Sequence, residues 1–148
     1  GNIYRNIKLP EIPLCLKFDE NKNQVLIGCK NDYGYLKKNN KGEYEFTSLK
    51  PKNIKAGEIN EVKITDLYIY FYSNESILCH DRNNLKLVKA LYAKPGEKHF
   101  GLIQFGNQVY LNKKNSGFIR IDNEGKNTEI PNSKALSAYN ILFSFYQL

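Results

Sequence analysis

The sequence predicts an all-β protein made of repeated four-stranded antiparallel units. Three observations carry this. Short apolar segments recur about every 40 residues. Within them Val, Ile, Leu, Tyr and Phe alternate with polar residues, the period of a strand. No segment sustains a helical period.

The second strand of each unit is the clearest. Gln24-Val25-Leu26-Ile27-Gly28, Leu67-Tyr68-Ile69-Tyr70-Phe71 and Gln108-Val109-Tyr110-Leu111-Asn112 start 43 and 41 residues apart. The third strands, Gly34-Tyr35-Leu36-Lys37, Ser76-Ile77-Leu78-Cys79 and Gly117-Phe118-Ile119-Arg120, start 42 and 41 apart. Asn31, Asn74 and Asn115 lie between the two strands, and Asn tolerates the left-handed conformation of a tight hairpin. First strands are expected at 14–18, 62–64 and 100–105, and fourth strands at 44–49, 85–91 and 128–130. The links to the fourth strands are polar: Asn39-Asn40-Lys41-Gly42, Asn83-Asn84 and Asn123-Glu124-Gly125.

The units therefore cover about 12–50, 58–92 and 99–132. The ends continue the pattern. Residues 3–9 match a fourth strand, with Tyr4 40 residues before Tyr44; residues 139–145 match a first strand, with Phe145 40 residues after Phe105. A four-stranded unit repeated at this spacing is the pattern of a β-propeller blade, whose small sheet buries its two faces only by stacking on neighbours. The 148 residues form one domain, a partial propeller of three blades with a flanking strand at each end. Uncovered end blades and unpaired end strands predict self-association, most simply as a dimer.

The chain opens on Gly1 and contains no Met, which reads as a processed piece of something longer. Asn6 stands where an N-myristoylation motif requires Ser or Thr. No apolar run approaches the roughly 18 residues of a spanning helix. The net charge of +7 is mostly Lys dispersed among Asn, with no basic run, so nucleic-acid binding is not expected. The odd cysteine count, Cys15, Cys29 and Cys79 in apolar segments, reads as buried thiols, with a Cys15–Cys29 disulfide open if their strands pair.

The stretch Val25-Leu26-Ile27-Gly28-Cys29-Lys30-Asn31-Asp32-Tyr33-Gly34-Tyr35-Leu36 resembles the blade motif of bacterial two-component-regulator propellers, in particular the sensor region of triple-tyrosine-motif regulators from Bacteroidetes. Residues 106–122 are similar to the following blades of that region. The resemblance implies a periplasmic or otherwise extracytoplasmic sensor. In that family a small β-domain, a membrane span and a histidine kinase or DNA-binding output follow; none of these lies in this chain.

Nucleophile-elbow, phosphate-loop, zinc-protease and calcium-loop motifs are absent. His80 reads as a turn or partly buried residue at a strand end, and His99 as a loop residue near the channel mouth. Asp81 and Asp122 recur at 41 residues, as turn formers do. No catalytic residue, metal ligand or cofactor is expected.

Binding is the better expectation. In a propeller the loops between second and third strands share one face with the loops between blades. That face collects Lys30, Asn31, Tyr33, Tyr72, Asn74, Lys94, Lys98, His99, Lys113 and Asn115, with Lys52, Lys55, Lys114 and Tyr92 beside them. Aromatic faces stack on sugars while Lys and Asn bond hydroxyls and carboxylates, so a glycan or anionic small molecule is the expected ligand, with a plain solvated loop face as the equal alternative. A non-enzymatic sensor region of a signal-transduction regulator is the leading expectation. A protein-interaction scaffold and a propeller hydrolase or lyase are the alternatives.

Overall fold

Each repeat folds into its own sheet in the computed structural model, which describes residues 7–113, 116–122 and 127–138. The first sheet holds β1 (Pro13–Asp19), β2 (Gln24–Cys29), β3 (Tyr33–Lys38) and β4 (Tyr44–Ser48). The second holds β5 (Glu61–Ile64), β6 (Tyr68–Tyr72), β7 (Ser76–Asp81) and β8 (Leu87–Tyr92). The third holds β9 (His99–Phe105), β10 (Gln108–Lys113), β11 (Gly117–Ile121) and β12 (Asn127–Glu129). Every sheet is an antiparallel meander in chain order. Short 3₁₀ turns at Glu20–Lys22 and Ser133–Ala138 are the helical elements among the described residues.

The strand positions match expectation, and the departures have local causes. The fourth strand of the second sheet begins at Leu87 rather than Leu85, because Leu85 sits in the left-handed region at φ 61° and turns the chain. Asn31 is left-handed as expected, at φ 62°. Asn74 is not left-handed; there the Ser73 hydroxyl accepts bonds from the amides of Glu75 and Ser76 and closes the turn instead. Of the flanking strands, 139–145 and residues 1–6 lie outside the described residues. The described part of the other, 7–9, is irregular chain with no strand pairing; Leu9 packs its side chain onto Ile27, Cys29 and Leu36.

Strand alternation sends successive side chains to opposite faces of each sheet. In β6, Ile69 and Phe71 meet Leu26 and Tyr33 of the first sheet, while Tyr70 and Tyr72 meet Leu102, Val109 and Leu111 of the third. The two main cores are thus the two junctions between successive sheets. The second sheet is buried on both faces, which explains its continuous apolar strands.

The same alternation answers the disulfide question. β1 and β2 do pair, with Cys15 opposite Gly28 and Cys29 opposite Pro13. Cys15 packs into the junction with the second sheet and Cys29 into the cluster on the other face. All three thiols are free. Burial pushes their pKa up, to about 11 for Cys29 and about 12 for Cys79, which keeps them protonated and unreactive at neutral pH.

Candidate functional site

The loops expected on one face do meet there. The backbones of Lys30 and Glu58 form an isolated antiparallel β-bridge, and the Asn31 amide donates to the Gly57 carbonyl at 2.9 Å. The Ser76 hydroxyl donates to the Ala56 carbonyl at 2.7 Å. Ala93 and His99 donate their amides to the carbonyls of Glu75 and Asn74. Each link between sheets is thereby tied to the hairpin tips beside it.

Between the two links lies an open groove of about 800 Å³. Asn53 and Lys55 line one side, and Tyr92, Ala93, Lys94, Pro95, Gly96, Glu97 and Lys98 the other, with Glu75 at the hairpin tip. Lys94-Pro95-Gly96-Glu97 is a type II turn: Pro95 presets φ, Gly96 takes φ 80°, and the Glu97 amide returns to the Lys94 carbonyl at 2.8 Å. The turn projects Lys94 and Lys98 beside Tyr92, whose ring is about half exposed. Lys113 pairs with Glu97 at 2.9 Å and holds that carboxyl below its ordinary range. Glu97 therefore offsets Lys113, and the groove keeps the charges of Lys55, Lys94 and Lys98 against Glu75.

The ten expected ligand residues divide accordingly. Lys94 and Lys98 line the groove. Lys30, Asn31 and Asn74 are exposed on the same loop face without lining it. Lys113 is half-buried in its ion pair. Asn115 lies outside the described residues. Tyr33, Tyr72 and His99 are buried and have no ring face to offer a ligand. The Tyr72 hydroxyl donates to Asn74 Oδ1, and His99 begins β9 rather than standing in a loop. Asn53, Glu75 and the Pro95–Glu97 turn line the groove as well; they lie in loop segments of the expected face but are not among the ten expected ligand residues, although Lys-Pro-Gly-Glu is a legible turn signal.

Tyr33 has a different role. Its β3 register, opposite Gly28, points it into the junction with the second sheet. Its hydroxyl lies 2.9 Å from His80 Nε2, and its ring packs against Phe71 with centroids 4.5 Å apart and planes tilted by 37°. His80 is 1% exposed in the middle of this junction, not a partly buried turn residue. His80 Nδ1 lies 2.9 Å from the Leu85 carbonyl, which can only accept, so Nδ1 carries the proton and Nε2 accepts from Tyr33. This buried relay joins two sheets.

Burial lowers the His80 pKa, and burial followed by the nearby Lys113 charge lowers that of His99. Below the unfolded value of about 6.5 the unfolded chain gains protons that the folded chain refuses. Stability is therefore expected to fall as pH drops below about 6.5, by at most about 1.4 kcal/mol per pH unit for each histidine. Urea unfolding at pH 7.5 and 5.5 measures it. His80→Leu should fold, since the equivalent Leu36 and Ile121 hold the same register position, and should reduce the dependence to the share of His99.

The opposite face carries a buried ion pair. Arg82 Nη2 lies 2.5 Å from Asp19 Oδ1, and Arg82 Nη1 donates to the Thr65 carbonyl at 3.0 Å. Gln24 Nε2 donates to Asp19 Oδ2. Burial alone would raise the Asp19 pKa, but the Arg82 bonds outweigh it and hold the carboxyl below its ordinary value.

Among the described residues, no three of His, Cys, Asp and Glu gather closely enough to hold a metal ion, and no helix is long and apolar enough to cross a membrane. No protein-family model matches the chain and no curated protein matches it, so its functional reading rests on this groove and its surroundings.

Proposed function

We propose that the chain is a non-enzymatic binding module, an arc of β-propeller blades whose loop face takes an acidic glycan or small anion. One observation carries the reading: Lys55, Lys94 and Lys98 converge with Tyr92 and Asn53 on one open groove between two links. Three ammonium groups favour carboxylate or sulfate, the Tyr92 ring offers a stacking face, and Asn53 can bond hydroxyls in either direction. The links are fastened to hairpin tips, so the lysine stems project from a braced backbone. The resemblance to regulator sensor regions adds the biological setting: an extracytoplasmic sensor that passes ligand occupancy to output domains elsewhere in the polypeptide.

Calorimetric titration with oligogalacturonate and a sulfated oligosaccharide tests this at low and physiological salt. Affinity is expected to fall with salt, because exposed charges are screened. The double variant Lys94→Glu, Lys98→Glu should weaken binding roughly tenfold, about 1.4 kcal/mol. Binding that ignores both substitutions places the site elsewhere, and no binding to either probe overturns the reading.

A further inference from the structure

The second sheet turns one face to the first sheet and the other to the third, and the registers define the equivalent preceding-side and following-side positions in all three. Leu16 pairs with Ile27, Val62 with Phe71 and Leu102 with Leu111, so these three first-strand residues are counterparts facing the preceding sheet. Val62 and Leu102, each with a sheet in front of it, are 6% and 3% exposed. Leu16 is 66% exposed, and Phe18, two residues along on the same face, is 51% exposed. Leu14 and Ile12 extend this apolar edge.

The last sheet among the described residues shows the matching departure. Lys17, Lys63 and Ile103 pair with Leu26, Tyr70 and Tyr110 and face the following sheet. Asp19, Thr65 and Phe105 are the counterparts two residues later. Where the first two sheets carry Lys and then a buried Asp or Thr, the third carries Ile103 and a Phe105 that is 69% exposed. On the same face, Asn112 Oδ1 and Arg120 Nε are buried polar atoms without a hydrogen-bond partner. Among the described residues an apolar edge is thus open on the first and on the third sheet, and each is one half of a junction the chain already builds twice.

We propose that these end faces dock on each other between two copies of the chain, head to tail, with Leu16 and Phe18 of one copy against Ile103 and Phe105 of the next. A second copy fits because one chain carries both halves, and because the polar pattern of the inner edge changes to apolar only at the sheet with no successor among the described strands. Two copies bring six sheets, within the four to eight that close a propeller ring, and a two-fold assembly closes both junctions at once.

Sedimentation equilibrium of the full chain tests the proposal. The expected result is a dimer at micromolar concentration. Leu16→Glu and Phe105→Glu should each give a folded monomer, since both side chains are mostly exposed within one copy; circular dichroism checks the fold. Mixing the two variants should restore dimer, because one of the two junctions then joins two unaltered edges. A wild-type monomer at every concentration overturns the proposal and leaves the edge to another partner. A dimer that survives both substitutions, or variants that fail to complement, overturns the head-to-tail geometry.

Discussion

Gly34→Val is expected to abolish the folded state, and Gly34→Ala to cost about 3 kcal/mol or more. Gly34 lies in β3 between β2 and β4, opposite Ile27 on one side and Ser48 on the other. A Cβ there would be driven into the Thr47 carbonyl oxygen, with the carbonyl carbon at 2.9 Å and the Phe46 ring at 3.0 Å. The obstacle is backbone, so no rotamer change relieves it. Relief requires β4 to move off β3, which would break the ladder from Gly34–Ser48 to Lys38–Tyr44. Tyr33 is the next residue and would carry the disturbance into the junction through His80. The control is Gly101→Ala. A Cβ at Gly101 meets nothing within 4 Å, so this change should stay within about 0.5 kcal/mol. Urea unfolding followed by circular dichroism compares the two; equal midpoints would show that the first sheet has room this geometry denies.

Arg82→Ala should destabilise by about 3–5 kcal/mol, because it leaves a buried carboxylate without its cation. Asp19 is 1% exposed, and Arg82 supplies both its ion pair and one of the bonds tying the turn at Thr65. The second change Asp19→Asn should recover part of the loss, since it removes the stranded charge. The pH dependence gives a separate signature. In the wild type, Asp19 is held below its unfolded value of about 3.9, so its contribution is present above that pH and disappears as pH falls through the folded value. In Arg82→Ala burial is opposed only by the bonds from Gln24 and the Asn21 backbone, so the pKa should rise from its wild-type position and protonation on mild acidification should partly relieve the damage. An Arg82→Ala protein as stable as wild type would mean that the turn opens and hydrates Asp19.

The groove was only partly legible in the sequence. Lys94 and Lys98 were identifiable because they flank a link between repeats, and links between repeats must lie on the loop face. Tyr33 was misassigned for the same reason: it follows the Asn31 turn and looks like a loop-tip aromatic. Its fate was settled by one pairing, Gly28 with Tyr33, which makes it a strand residue facing the second sheet. His80 shows the same limit. A histidine at the end of an apolar strand has no local mark of whether its ring meets solvent or Tyr33, 47 residues away.

What the sequence determined by itself is the local architecture of the three sheets: the twelve strands among the described residues, the turns between them and the meander order of each sheet, but not a flanking strand at 3–9. Alternation with period two and Asn, Gly or Ser at turns are short-range signals, and antiparallel pairing of neighbours follows once the turns are tight. Only the tertiary structure decided which face of each sheet meets which neighbour and which lysines share a groove. It also decided that Cys15 and Cys29 stay apart and that Asp19 finds Arg82. These depend on strand register and on packing between residues tens of positions apart. A shift of one residue in register moves a side chain to the opposite face while leaving the hydrophobic pattern along the chain unchanged.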